Sequence, residues 1–327
     1  MPHASIIVPA FNAAQTLSAT LESLISQSFR DMEIIVVDDG STDRTAKMAE
    51  RFTARDPRIR FLGQPNRGLA GARNTGIAAA SGDVIGFCNG DDLWAPDKLA
   101  THVAHLGRAP HVGLSYSGSA LITPLGQTTG QTQRPRLRNV TAAHVFKRNP
   151  VGNASTPVFR RGALNSLAWR PRFERRRDWI FDETFRQSED IECWLRLSLA
   201  TDWAVEGVPG LLVQRRSDRA GLATGDEPQF GSWERMVTKL RPQAPDFFAR
   251  HETAARAYRM LGLAQRAALQ NDGVAARAAM ADALRLSWTP LREEPLCTVA
   301  AMVRAQLLNR CNFAVSKGLW PQNHSPL

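Results

Sequence analysis

Ile35-Val36-Val37-Asp38-Asp39-Gly40-Ser41-Thr42-Asp43 is the stretch that decides the fold. Ile34 to Val37 is an unbroken apolar run of strand length, the pattern of a strand covered on both faces. It ends abruptly in two carboxylates and a glycine turn. Ser41, Thr42 and Asp43 then offer caps for a helix over Asp43 to Ala54. Upstream, Ile6-Ile7-Val8 reads as another buried strand. Leu17, Leu21, Leu24 and Ile25 give helical spacing over Gln15 to Gln27. Downstream come a strand over Arg58 to Leu62, a helix over Leu69 to Ala80 and a strand over Val84 to Phe87. A helix over Pro96 to Leu106 follows, with Pro96 in its first turn. Regular alternation of this kind predicts a mostly parallel sheet flanked by helices, an α/β fold.

Beyond Gly113 the pattern loosens. Gly113 to Tyr116, Thr156 to Phe159, Trp203 to Val208 and Leu211 to Gln214 read as strands, Gly126 to Arg138 as a polar loop, and Ser188 to Leu199 as a helix. From about Gly231 the composition is helical. Ala254 to Leu269 and Val274 to Leu286 form a hairpin turning at Asn271-Asp272-Gly273.

Composition excludes several classes. With 43% hydrophobic and 22% charged residues, the chain is an ordinary globular one. Cys88, Cys193, Cys297 and Cys311 form no C-x-x-C pair, so neither a zinc ribbon nor a disulfide framework is signalled. A reducing compartment is expected. No leader and no run of about 18 apolar residues is seen, so no membrane span is expected. The net charge of +10 is concentrated: Arg134 to Arg177 holds twelve Lys or Arg against one acid, Glu174. Such a stretch suits an anionic partner or is simply a solvated face. Few aromatics interleave with these arginines, so no nucleic-acid partner is expected.

The chemistry lies at strand ends. Pro9-Ala10-Phe11-Asn12, Asp38-Asp39-Gly40-Ser41 and Asn89-Gly90-Asp91-Asp92 each follow a strand, and ligands of α/β sheets bind beyond the strands' carboxyl ends. One carboxylate of Asp38-Asp39 can face the cleft and accept from a base N–H or ribose hydroxyls, or both can cap turns. Asp91-Asp92 is a repulsive pair that a hard cation, Mg²⁺ or Mn²⁺, would relieve beside a diphosphate. Otherwise it caps the next helix. The Gly-rich basic run Asn66 to Gly76 lets backbone approach a ligand, with Arg73 available to a base or phosphate. It is not a Walker loop, and Pro9-Ala10-Phe11-Asn12 stands where a dinucleotide fold needs glycines. Glu189-Asp190 opens a helix. There the acids suit the helix dipole, or one of them is a general base.

Taken together, the motifs from Ser5 to Asn12, Ile35 to Asp43 and Gly82 to Trp94 resemble those of glycosyltransferase family 2. The resemblance is specific over residues 1 to about 110 and extends to about 215. It implies a GT-A fold; the C-terminal hundred residues are not covered by it, and their composition adds a helical extension. The expected divisions are 1–110 for the nucleotide-sugar-binding half, 111–230 for the acceptor and catalytic-base half, and 231–327 for the helices. It implies an inverting transfer from a nucleoside-diphosphate sugar, commonly UDP-linked, to a hydroxyl acceptor in polysaccharide or glycolipid synthesis. Pro9, Phe11, Asn12, Asp39, Arg73 and Asp91 would bind the donor. Asp91 and Asp92 would hold Mg²⁺ or Mn²⁺, and Asp190 would be the catalytic base. Where many members carry an acid, this chain has Asn89, which keeps open an alternative: a nucleotide-sugar-binding protein impaired in turnover. The acceptor is expected to be a glycan or lipid-linked glycan. The basic stretch is expected to face an anionic acceptor, such as a lipid-diphosphate-linked glycan at the inner membrane surface. The protein is expected to be cytoplasmic, with a peripheral contact to anionic membrane through the apolar Leu296 to Leu308 face.

Overall fold

The computed structural model describes residues 2–175, 177–217 and 226–316, and the side chains of these except 226–229 and 309–316. Arg176, within the basic stretch, and Cys311 therefore lie outside the described side chains. The chain divides into two compact units, one of residues 1–145 and 149–240, the other of 146–148 and 241–327.

The first unit is built on a nine-stranded sheet. Strands β1 (Ala4–Ala10), β2 (Met32–Asp38), β3 (Ile59–Gly63) and β4 (Val84–Phe87) form a wholly parallel block in the order β3-β2-β1-β4. Every residue of β1 and β2 is buried, as their unbroken apolar runs require. Helices α1 (Leu17–Ile25), α2 (Thr45–Arg55) and α3 (Gly68–Ala79) connect them. The α1 side chains Leu17, Leu21 and Leu24 pack with Ile6, Val8, Ile34 and Val36 in one core.

Beyond β4 the sheet is mixed. It continues through β8 (Val158–Arg160), β6 (Val112–Ile122), β9 (Ala204–Arg216) and β5 (Leu93–Trp94), with β7 (Thr128–Gln133) pairing the C-terminal part of β6 on the edge that β8 also uses. Here β8 runs antiparallel to both β4 and β6, while β9 runs parallel to β6. The expectation of parallel strands thus holds for the N-terminal block, where each strand returns through a helix. The other half gains antiparallel pairs where strands meet without such a crossover. Helices α4 (Lys98–Arg108), α5 (Ala142–Arg148), α6 (Arg161–Asn165), α7 (Glu189–Ala200) and α8 (Asp226–Leu240) complete this half, with the end of α5 assigned to the second unit.

The second unit carries α9 (Pro245–Leu269), α10 (Gly273–Leu286), α11 (Thr289–Glu293) and α12 (Pro295–Ser316). The predicted turn is present: the Asp272 carboxylate accepts from Ala275 N at 2.9 Å and caps α10. Tyr258, Leu261, Ala264, Met280 and Ala283 form its core.

Candidate active site

Parallel strands β1, β2 and β4 end on one rim, and their loops are tied to each other. Asp39 N donates to Ala10 O at 2.8 Å, Gly90 N to Pro9 O at 3.1 Å, and Gln64 N to Asp38 O at 3.0 Å. Thr16 Oγ1 bonds Gly90 O at 2.8 Å. Gly40, at φ +77°, makes the turn after the Asp pair. A Cβ there would lie 2.9 Å from Asn66 N, so only glycine lets these two loops meet.

Where they meet there is a cavity of about 170 Å³, lined by Pro9, Ala10, Phe11, Asp39, Asn66, Gly68, Leu69 and Ala72. Phe11 and Leu69 are half exposed, large apolar side chains that ordinary folding would cover. Asp39 is buried below them. Its carboxylate accepts from Gln64 Nε2 at 2.7 Å, Arg67 N at 2.8 Å and Gly68 N at 2.8 Å. It therefore caps the start of α3 and keeps one of about four acceptor positions for a ligand. An apolar slot with one carboxylate acceptor is the chemistry of a nucleobase site. Asp38 turns the other way, its carboxylate taking Ser41 N and Oγ.

The remaining donor residues stand differently. Asn12, at φ +48°, receives Thr42 N on its side-chain oxygen at 2.9 Å and so staples the first loop to the second. Arg73, expected to reach the nucleotide, is 2% exposed. Its Nη1 donates to Glu189 Oε1 at 2.5 Å and its Nη2 to Asn89 Oδ1 at 3.3 Å, with the guanidinium over the Phe181 ring. It joins α3, the β4 loop and the head of α7 rather than lining the cavity.

Asp92, expected on a metal, has a carboxylate already committed to protein donors. Oδ2 accepts from Ser155 Oγ at 2.6 Å, Asn153 Nδ2 at 2.8 Å and Asn89 Nδ2 at 3.4 Å, and Oδ1 accepts from Arg216 N at 3.0 Å. Burial raises its pKa against these bonds. Among the described residues no three His, Cys, Asp or Glu side chains cluster to hold a metal. A hard divalent ion can, however, take one carboxylate and complete its shell with phosphate oxygens and water. Asp91, partly exposed on the same rim, fits that smaller requirement.

Asp190 stands in the first turn of α7 beside Glu189, so the Arg73 link brings it to the rim. Burial first, and the Glu189 charge second, push its carboxyl up to about 6, against the lowering effect of Arg73. Glu192, on the same helix, is fully buried and holds Arg196 and Lys239, both at 2.8 Å. The two acids thus part: Glu192 braces the helix and Asp190 is left with a perturbed proton.

Several partners were missed in the sequence. Asn153, Ser155 and Arg216 hold Asp92 from 61 to 124 residues away. Arg67 is fixed by Glu174 at 2.8 Å and Glu183 at 3.1 Å. Ordinary polar residues in loops carry no local signal for such pairings. The Arg215-Arg216 doublet closing a strand was the one visible hint. The basic stretch, for its part, is not one patch: Arg138 pairs with Glu206, Lys147 with Glu293, Arg170 with Asp178 and Arg177 with Glu183.

An uncharacterized glycosyltransferase of Bacillus subtilis, EpsJ, is 49% identical over 92 residues, which cover 28% of this chain and 27% of that protein. The chain thus spans about a quarter of that relative's length. Among solved structures, Staphylococcus aureus TarS 1–349 in complex with UDP-GlcNAc superposes with a TM-score of 0.61 at 17% identity, covering 96% of this chain and 92% of that one. A mannosyltransferase from Pyrobaculum calidifontis, solved with GDP-Man and Mn²⁺, gives 0.59 at 21% identity over 94% of this chain and 87% of that one. Residues 5–167 match the family model described as Glycosyl transferase family 2, and the chain belongs to that family.

Proposed function

We propose that the protein transfers a sugar, with inversion, from a nucleoside-diphosphate sugar of the UDP type to a hydroxyl of a glycan or lipid-linked glycan, in cell-surface polysaccharide or glycolipid synthesis. The observation that carries this reading is the cavity of Phe11, Asp39 and Leu69, joined through Arg73 and Glu189 to the raised carboxyl of Asp190. The UDP-GlcNAc held by TarS supports the donor class, and chondroitin synthases of Escherichia coli and Pasteurella multocida, 37% and 28% identical over 30% and 45% of this chain, support the product class.

In this mechanism the nucleobase enters between Phe11 and Leu69, and Asp39 accepts its N–H. Asn12 and Arg73 do not touch the donor; they fix the loops that do. The acceptor hydroxyl gives its proton to Asp190 as its oxygen forms a bond to the anomeric carbon. One base and a direct attack invert the configuration. A carboxyl titrating near 6 is ionised at neutral pH and still close enough to it to serve as a base. Asp91 would hold Mg²⁺ or Mn²⁺, which neutralises charge on the leaving diphosphate.

A second reading rests on Asn89. Its amide bridges Arg73 and Asp92 and supplies no charge, which suits a donor-binding protein without turnover. Asp190→Asn distinguishes them. Transfer is expected to fall by roughly 10²–10⁴-fold while UDP affinity holds. Normal turnover by that variant removes Asp190 from the mechanism, and no turnover by the wild type with any donor favours the second reading.

The exposed apolar row Leu296, Val299, Val303 and Leu307 on α12 supports peripheral contact with an anionic cytoplasmic membrane surface. No helix among the described residues is long and apolar enough to cross a membrane.

A further inference from the structure

Between α6 and α7 the chain makes a hairpin that the donor site does not use. Trp169 and Trp179 pair across it, with N–H···O distances of 2.9 and 2.7 Å. Their rings meet edge to face at 5.4 Å, and Phe173 meets Trp179 the same way at 5.5 Å. Trp179 is buried, but Trp169 is 37% and Phe173 71% exposed. The Lys239 ammonium lies 5.6 Å from the Trp169 ring centre. A cluster of three aromatic rings with two of them open to water is costly unless something covers it.

The hairpin is clamped between the two halves of the site. On the donor side, Glu174 takes Arg67 Nη2 at 2.8 Å, and Arg67 N donates to Asp39 at 2.8 Å. Asn74 of α3 also holds it, accepting from Ile180 N at 3.1 Å and Phe181 N at 2.9 Å. On the other side, Arg196 of α7 donates to Leu167 O at 3.0 Å and to Ile180 O. That helix begins at Glu189-Asp190. The same hairpin carries Arg172 and Arg175, both exposed, and Arg170, which is paired with Asp178 at 2.7 Å.

We propose that this hairpin is an acceptor subsite, in which Trp169 and Phe173 stack on a pyranose ring of an anionic oligosaccharide while Arg172 and Arg175 meet its acidic groups. The proposal rests on the reading of Asp39 and Asp190 as donor and base residues. A pyranose presents an apolar C–H face that an aromatic ring covers, and guanidinium groups match carboxylate and sulfate in paired hydrogen bonds. A neutral glycan would leave the arginines unused. The clamp through Arg67 and Arg196 gives the rings a fixed position relative to both Asp39 and Asp190, which an acceptor must have.

The test is direct binding of two probes, tetragalacturonate and a heparin-derived tetrasaccharide, with cellotetraose as the neutral control. Wild type should bind at least one acidic probe at least about tenfold more tightly than cellotetraose. Phe173→Ala should weaken that binding about fivefold, in line with the loss of one aromatic stack. Arg172→Ala with Arg175→Ala should weaken it further as salt is lowered, because salt no longer masks the missing charges. UDP affinity should stay within about twofold in each variant, which also shows that they fold. The proposal is overturned if neither acidic probe binds, if cellotetraose binds equally well, or if Phe173→Ala leaves binding unchanged. It is also overturned if Phe173→Ala instead abolishes binding to vesicles of anionic phospholipid and spares the acidic probes. Failure of wild type to bind UDP counts against the donor reading and leaves the hairpin to be judged by the oligosaccharides.

Discussion

Asp190 shows how a residue's surroundings decide its use. The sequence places three acids within four positions, Glu189, Asp190 and Glu192, and their spacing alone gives no way to rank them. The structure separates them by partner. Glu189 is held by Arg73 and Glu192 by Arg196 and Lys239, whereas Asp190 accepts from Ile191 N at 2.7 Å and is pushed up to about 6. The folded protein therefore holds this proton more tightly than the unfolded chain, so the group's contribution to stability falls as pH rises from about 4 to 6. Activity runs the other way, because a base must be ionised: kcat should rise with pH to a plateau, with an apparent midpoint near 6. Glu189→Gln removes a charge that raises Asp190 and leaves Arg73, which lowers it. The midpoint should move to lower pH, while burial keeps it above the ordinary aspartate value. A profile of kcat from pH 4.5 to 8 in both proteins checks this, and a midpoint that stays put or rises contradicts the assignment.

At the scale of elements, legibility followed how local each signal is. β4 was read at its exact bounds, and α3 was displaced by one residue, because buried runs and helical spacing are written in consecutive residues. β7 was read as loop: all six of its residues are exposed, so no apolar alternation marks it, and it is a strand only because β6 offers it an edge. β9 was read as two strands broken at Pro209-Gly210. It runs through them, with Gly210 at φ +109° and a register shift against β6 absorbing the bend. The least legible feature is on α4, where a lysine followed by histidines one and two turns on looks like a solvated face. Instead Lys98 is fully buried, with Nζ 2.6 Å from Thr156 O and 3.1 Å from His102 Nε2. An ammonium only donates, so His102 Nε2 accepts and its Nδ1 proton goes to Ser115 Oγ at 2.7 Å. Ser115 then donates to His105 Nδ1 at 2.8 Å, and His105 Nε2 to Glu206 at 3.2 Å. This chain secures the segment whose Ser155 holds Asp92. Burial lowers the Lys98 pKa to about 7. Between 7 and 10.5 the unfolded chain then binds the extra proton, so this residue makes stability rise with pH, by at most about 1.4 kcal/mol per pH unit. Urea unfolding at about pH 7.0 and 7.7, below the midpoint of roughly 8.5 at which an unfolded thiol such as Cys88 titrates, should show that rise in wild type. Lys98→Met should flatten it. Equal slopes in the two proteins would mean that the ammonium is not desolvated.

For the whole molecule, the division into two units separates stability from donor chemistry. Every residue lining the cavity proposed for the donor, and every partner of Asp39, Arg73 and Asp92 named above, lies in the unit of residues 1–145 and 149–240. The helical unit has its own cores, one of Tyr258, Leu261, Ala264, Met280 and Ala283 and one of Ala268, Ala276 and Ala305. The family match ends at residue 167, so the motifs that made the first third readable gave no guide to these helices; only their periodicity and the capped Asn271-Asp272-Gly273 turn did. Leu261 is fully buried between α9 and α10. Truncating it to alanine removes buried methyl groups and leaves a cavity, at a cost of about 2–5 kcal/mol to the helical unit. Leu261→Ala should therefore lower the melting temperature of the protein while UDP affinity, measured well below that temperature, stays within about twofold. Phe52→Ala, in the core under β1 and β2, should lower both, because α2 and the Asp38-Asp39 turn that leads into it share that core. If Leu261→Ala weakens UDP binding as much as Phe52→Ala does at matched loss of stability, the helices contribute to donor binding and the separation argued here fails.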